Sequence, residues 1–480
     1  MVLRSVDRPV LFLVHSSDSE LDAAWRHALF ELCCRAGVRA SIVRADRAAC
    51  GGEETRVHCL PERRAMTAIP EGAHLLEPSG GALELRSTLC GTVLATSEVG
   101  LGDIVAGVAH LLSFAHETGA PRDRYGRIPT AHTRLAQAAR TPLLENAAAL
   151  FAMGLKERFP TLRTASSPWG EGRVVVAVTH DVDGPELHRP FPMLRSLLYA
   201  AAGRRYERES FELGLATWLF GRPDPYWTFD NWVRLNRSAF DAPSTFYFYP
   251  AGVKGIRRHR NDPHYPFGGP RYQDQLRRLQ ESGCEIGVHF GIKTRSATDF
   301  HVALRRVSEV AGVPVVGSRL HYWSGAWPDP YSTWGAMHDA GGVYDASLTP
   351  LDIGFRAGIA QPITPSFRRS GELASPFVVL PTAVMDGYAH PRYTGESADE
   401  VEAAMDEIVR EVVRTGFLVV DWHERALANV GAWAGFMGSY FALMAELRER
   451  AHVEFVTAAE AARRWTTHAA GLFVPYGDSK

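Results

Sequence analysis

From residue 173 to residue 456 the chain repeats one device: a short apolar β run, a helical stretch, then another apolar run. The runs fall at 173–179, 244–249, 284–290, 315–322, 342–348, 376–385, 416–422 and 453–456. Strands separated by helices pair in parallel, and this many βα units point to closure into a barrel. The intervening helices carry their own boundaries. Ser397-Ala398-Asp399-Glu400 and Thr457-Ala458-Ala459-Glu460 fit the capping box, and Gly283 ends the helix before the third run.

At 480 residues the chain exceeds what one core usually organises. Ahead of the barrel the pattern reads strand Pro9–Val14, helix from about Leu21 to Arg35 stopped at Gly37, and strand Ala40–Val43, with further helical stretches at 102–116 and 143–159. The expectation is a small α/β N-terminal domain of unknown role over 1–165, then a distorted (β/α)7-8 barrel over 170–470. Between its first two strands the barrel carries a long insertion, 187–243, rich in Tyr, Trp, Phe and Arg. At a barrel mouth such an insertion forms a lid or a substrate wall.

Composition excludes some partners. Hydrophobic residues make up 46% and the formal net charge is −2, so there is no overall electrostatic reason to expect nucleic acid or an anionic membrane surface. The early apolar run Val10–Val14 is too short for a membrane span or a secretory core, which leads to the expectation of a cytoplasmic protein. Six cysteines, at 33, 34, 50, 59, 90 and 284, lack CxxC pairs and read as buried apolar residues. Oligomeric state is not legible.

Loops after strand C-termini build the active site of a βα barrel. Polar residues gather at those ends here: His180, Asp181 and Asp183; His289; Arg319 and His321; Asp345; Asp386; Asp421, His423 and Glu424. Two carboxylates two residues apart, with imidazoles from neighbouring strands, suit a divalent ion that takes mixed N and O ligands. One carboxylate can then act as general base while an imidazole protonates a leaving amine. Asp345 and Asp386 read more readily as structural residues that hydrogen-bond loop backbone. Trp227, Trp232, Trp323, Trp327 and Trp334 crowd the mouth, mostly as core, with one or two available to stack on a sugar ring.

At these positions the sequence resembles the NodB-homology polysaccharide deacetylases, the carbohydrate esterase family 4 type, over roughly 173–460. Thr179-His180-Asp181-Val182-Asp183-Gly184 is similar to the family's TFDDG segment, one residue longer. The resemblance implies Asp181 as base and Asp183 as metal ligand. Gly283–Lys293 resembles the family's H-x-x-x-H strand end: His289 matches the first histidine, and Lys293 stands at the second. His321, in Ser318-Arg319-Leu320-His321-Tyr322, is the candidate replacement ligand, with Arg319 in the role of the arginine that orients the base. Val420-Asp421-Trp422-His423-Glu424 resembles the last motif and implies His423 as the acid. Tyr322, Lys293, His180, Asp345, Asp421 and Glu424 are then candidates for substrate contact or support. Details such as HDVD, Asp224-Pro225-Tyr226 and Gly354-Phe355-Arg356 resemble a bacterial subgroup with an extra N-terminal domain.

The resemblance implies removal of an N-acetyl or related acyl group from a carbohydrate or glycosylated small molecule. The implied cofactor is a divalent metal ion, zinc first, with cobalt, nickel or manganese as alternatives. Two competing readings are a metal-independent hydrolase of cyclic amides on the same barrel and a degenerate barrel that binds a glycan without turnover.

Overall fold

The computed structural model describes residues 9–14, 16, 18–45, 55–59, 74–76, 100–251, 259–366 and 377–473. Cys50 and Cys90 lie outside them, and Cys33, Cys34, Cys59 and Cys284 are buried thiols.

The N-terminal part is built on a parallel four-stranded sheet in the order β2-β1-β3-β4, with β1 Val10–Val14, β2 Ala40–Arg44, β3 Thr55–Cys59 and β4 His74–Leu76. The helix Ser19–Ala36 starts where the Asp18 carboxylate accepts the backbone N–H groups of Glu20 and Leu21. It stops at Gly37, at φ 65°, where a side chain would run into the Ala165 carbonyl. Helices Leu101–Leu112 and Leu143–Arg158 pack beside it.

The second part holds eight strands: β5 Arg173–Val182, β6 Thr245–Phe248, β7 Glu285–Phe290, β8 Gly317–Leu320, β9 Tyr344–Leu348, β10 Val378–Met385, β11 Phe417–Asp421 and β12 His452–Val456. All pair in parallel, and β11 closes on β5 to complete a seven-stranded barrel. The eighth strand has a different place. Its residues 452–456 lie along 173–177 of β5, and β6 takes over beside 179–182. The ten-residue length of β5 makes this sharing possible. Every residue of β5 after Arg173 is buried, which is why the segment reads as a continuous apolar run.

The 187–243 insertion forms three helices, Pro190–Ala201, Arg205–Phe220 and Phe229–Phe240. Among the described residues no helix is long and apolar enough to cross a membrane.

Buried ion pairs and hydrogen bonds tie the two parts together. Arg356 makes a two-pronged contact with Glu117, at 2.9 and 2.6 Å. Glu145 accepts the backbone N–H groups of Ala360 and Gln361. Glu31 accepts that of Thr364 and also holds Arg35, which reaches the Pro362 carbonyl. The loop 356–364 that receives these contacts connects β9 to β10.

Candidate metal and acid–base site

Strand alternation decides which residues of the Thr179–Gly184 segment face the barrel axis. Thr179 and Asp181 point inward, where both meet the Arg319 guanidinium, at 2.8 and 3.0 Å. His180 points outward. It is fully buried between Trp232 and Phe246, with ring centroids at 4.3 and 4.5 Å, and its Nδ1 lies 2.8 Å from the Trp422 carbonyl. Burial pushes its pKa down to about 3, so it is a neutral packing residue. His180 therefore packs behind the strand end, against the carbonyl of the residue before His423, and not on the barrel axis.

Arg319 is the buried centre of the barrel mouth. Beyond Thr179 and Asp181 it contacts Asp421 at 2.9 Å and donates to the Ala346 carbonyl and the Thr382 hydroxyl. Register explains the convergence, because Arg319 pairs with His289 across β7–β8 and Asp421 with Thr179 across β11–β5. Burial opposes the charge on Asp181, but His289 and Arg319 outweigh it and hold its pKa below the usual carboxylate range. Burial and the neighbouring Asp181 push Asp421 the other way.

Asp183 is the hub of a second cluster. Its Oδ1 lies 3.3 Å from His289 Nε2, and its Oδ2 lies 3.5 Å from His321 Nε2 and 3.3 Å from His423 Nε2. Ligand atoms of Asp183, His289 and His321 all lie within 4.8 Å of one another. Three buried polar atoms here, Asp183 Oδ1 and both ring nitrogens of His289, have no hydrogen-bond partner. Of these, Asp183 Oδ1 and His289 Nε2 face each other at 3.3 Å, which fits a cation between them, and one carboxylate with two imidazoles is a donor set suited to zinc. A second trio, Asp181, Asp421 and His423, also has the spacing for an ion, but Arg319 already bridges its two carboxylates.

Two of the three imidazoles, His423 and His321, are aimed by a carboxylate behind the ring. Asp386 accepts the backbone N–H of His423 at 2.8 Å and lies 3.0 Å from its Nδ1. Despite burial, Asp386 and Asp183 push His423 well above the ordinary histidine range. Asp262 lies 3.2 Å from His321 Nδ1, and is itself fixed by the backbone N–H groups of His259 and Ile292. Burial works against the His321 charge, but Asp183 and Asp262 carry it up to about 9. Carboxylates behind metal-binding imidazoles set ring orientation and basicity.

Glu424 holds the turn itself. Its carboxylate accepts the backbone N–H groups of Asp183 and Gly184, at 3.3 and 3.1 Å, while its carbonyl accepts from Trp232 and Thr228. Burial raises its pKa to about 7. Asp345 has a structural role, bonded to Ser347 and to the Trp334 indole, and burial raises it to about 6. Lys293 is exposed in the loop after β7. Tyr322 stands next to His321 and stacks at 4.2 Å on Tyr125, which arrives from the N-terminal part. Tyr322 and Trp323 both hold positive φ, 57° and 53°, a strained pair of positions at the edge of the site.

Four contributors escaped the sequence reading. Asp262 and Tyr125 sit in loops without periodicity. Arg425, 3.4 Å from Asp183 and lying over the Trp433 ring, follows His423 by two residues and was available as a strand-end residue. Trp433 packs at 5.3 Å against His423. Trp232, Trp323, Trp327 and Trp334, by contrast, are buried core.

No protein-family model matches the chain, and no curated protein matches it. Among solved structures it is similar to a Mycobacterium smegmatis protein named as a polysaccharide deacetylase, at 17% identity over 66% of this chain and 96% of that one, with a TM-score of 0.40. It is also similar to the PuuE allantoinase, at 15% identity over 63% and 94%, TM-score 0.38. A Bacillus cereus polysaccharide deacetylase aligns at 14% identity over 59% and 92%, TM-score 0.28. At these values residue roles do not transfer, and the assignments above rest on the geometry of this chain.

Proposed function

We propose that this protein is a metal-dependent hydrolase that removes an N-acyl group, acetyl in the simplest case, from a sugar-containing substrate. The observation that carries the reading is the convergence of unsatisfied Asp183 and His289 atoms with His321, flanked by Asp181 and His423 in opposite electrostatic settings. Paired titratable groups pushed apart by their surroundings are how one site runs base and acid chemistry together.

Asp183, His289 and His321 would hold the divalent ion, zinc first. When bound, such an ion supplies Lewis acidity that polarises an amide carbonyl and acidifies water. Asp181 is kept ionised by Arg319 and takes a proton from the attacking water. His423 is kept protonated by Asp386 and gives its proton to the departing amine. Water and amide thus become carboxylic acid and amine, with both side chains restored when the proton is passed back. Tyr322 beside His321 and Trp433 beside His423 are half-buried aromatic residues flanking the site, where a sugar ring would meet them.

The test is metal analysis of the purified full chain, stripped and refilled with zinc, cobalt, nickel or manganese, alongside acetate release from N-acetylated oligosaccharides. The expected result is one ion per chain. Asp183→Asn should abolish metal content, and His423→Ala should retain the ion while losing about 10²- to 10⁴-fold in turnover. An unloaded wild-type protein, or equal metal loss in both variants, refutes the reading. Arg425 beside Asp183 is the feature that would then favour a metal-independent hydrolase.

A further inference from the structure

The first two helices of the insertion, Pro190–Ala201 and Arg205–Phe220, are built inside out. The side chains they bury are small or polar: Ser196 on one, and Ser210, Gly214 and Thr217 on the other. Most of the large apolar ones are exposed, while Met193, Phe211, Leu213 and Leu215 are half-buried. Phe191, Leu194, Leu198, Trp218, Leu219 and Phe220 are exposed, Trp218 by 62% and Phe220 by 70%. Nine of the fifteen exposed large apolar side chains among the described residues fall between 191 and 220. A patch this concentrated marks an interaction surface rather than scatter.

The small buried residues explain how the hairpin holds together. A Cβ at Gly214 would meet Met193 and the Leu187 carbonyl at 3.1 Å, and the Ser196 hydroxyl donates to Glu207 at 2.8 Å. The pairs 193–214 and 196–207 run in opposite directions, so the helices are antiparallel and Trp218–Phe220 lie beside Phe191–Leu194.

The patch has a cationic margin. Between 190 and 222 there are five arginines, at 195, 204, 205, 208 and 222, against three glutamates, of which Glu207 binds Ser196 and Glu212 binds Arg208. Arg204 lies over the Tyr199 ring at 4.6 Å, Arg222 over Phe220 at 5.6 Å, and Arg392 over Tyr206 at 3.4 Å. Aromatic rings paired with arginines around an apolar face match the layer where lipid headgroups meet acyl chains. The helices have 12 and 16 residues. At about 1.5 Å per residue they span roughly 18 and 24 Å, short of a bilayer core of about 30 Å, so they suit lying in that layer rather than crossing it.

We propose that this hairpin seats the protein on an anionic lipid surface, its apolar face in the acyl boundary and its arginines among the headgroups. The whole-chain charge of −2 conceals this local excess. A second copy of the chain would fit less well, because face-to-face pairing brings two sets of arginines together. The hairpin is also fastened to the catalytic loop, since Ser210 Oγ accepts the Ala432 backbone N–H at 3.0 Å, nine residues after His423. Docking therefore holds that edge of the barrel mouth at the lipid surface.

The experiment is co-sedimentation of the full chain with vesicles of phosphatidylcholine alone and of phosphatidylcholine mixed equally with phosphatidylglycerol. Binding should be about tenfold stronger on the mixed vesicles and should weaken with added salt. Leu198→Glu combined with Trp218→Glu, both at exposed positions, should lower it by a further factor of about ten with the circular dichroism spectrum and metal content unchanged. Absence of binding to the mixed vesicles, equal binding to both kinds, or binding retained by the double variant overturns the proposal. So does a dimer in solution that the double variant converts to monomer without any vesicle binding. Metal content reports on the hydrolase reading separately, so either idea can fail alone.

Discussion

The carboxylate behind His321 offers a quantitative test of the metal site. Asp262 Oδ1 lies 3.2 Å from His321 Nδ1 and also accepts the Ile292 backbone N–H at 2.9 Å, so it fixes the ring with Nε2 toward Asp183. Asp262→Asn can keep an acceptor oxygen in place but removes its charge. A charge-assisted hydrogen bond is worth about twice a neutral one, so the substitution should cost ~1 kcal/mol of ring positioning, or roughly three- to tenfold in zinc affinity. A second effect has the opposite sign. His321 is carried up to about 9 in part by Asp262, so protons compete with zinc for it at neutral pH, and removing the charge eases that competition. The prediction is therefore a curve. In the wild type, His321 should make apparent zinc affinity rise about tenfold per pH unit until pH approaches about 9. In Asp262→Asn the rise should level off at lower pH and reach a lower plateau. Competition against a chromophoric chelator across pH measures both features. Superimposable curves, in a protein where Asp183→Asn still abolishes binding, would mean that His321 is no ligand or that Asp262 does not orient it.

Other substitutions probe the buried network. Arg319→Met leaves Asp181 and Asp421 without their shared cation, and should lower stability to urea by about 3–5 kcal/mol; adding Asp421→Asn should recover part of this, and a loss below about 1 kcal/mol refutes the shared-cation picture. His180 is neutral in the fold with a pKa of about 3, against an ordinary value of 6.5. Its unfolded form takes up a proton as pH falls below 6.5 while the folded form does not, so stability is lost on acidification at up to about 1.4 kcal/mol per unit until pH nears 3. His180→Leu should flatten that slope in melting temperatures recorded between neutral and mildly acidic pH, and an unchanged slope excludes His180 as its source. Glu424→Gln keeps acceptors for one backbone N–H but not both, and should loosen the Asp183 turn enough to lower metal affinity without removing any ligand; unchanged affinity would show that the turn holds itself.

The barrel was legible because both faces of its strands are buried, which leaves apolar runs such as 174–178 that no helix period explains. All eight runs correspond to strands within a few residues at each end. Asp181, Asp183, His289, Arg319, His321 and His423 stood out because each follows or ends such a run. His180 lies behind the strand, as a period of two requires when Asp181 faces inward. Asp262 was not readable, since its role depends on where a loop between β6 and β7 folds back. Tyr125 was beyond reach for the same reason at longer range, about two hundred residues from its stacking partner Tyr322 in the chain. Lys293 drew attention through its position in a motif, yet an exposed loop position is free to differ.

The ties between the N-terminal part and the loop 356–364 bear on how the molecule can be handled as a piece of DNA. A catalytic fragment beginning near residue 170 would leave the ribosome with Arg356 stripped of its two-pronged partner Glu117 and of the helices that pack on its turn. Exposing the apolar side of a turn that the intact chain buries, at about 25 cal/mol per Å², draws on the few kcal/mol by which a domain is stable. The same cut strips the Ala360, Gln361 and Thr364 backbone of its acceptors, and takes away Tyr125 from the rim of the site. Natural rearrangements that shuffle this barrel among other proteins would thus be expected to carry the N-terminal part with it, Glu31 as well as Glu117 and Glu145, as a scaffold inherited together with the chemistry.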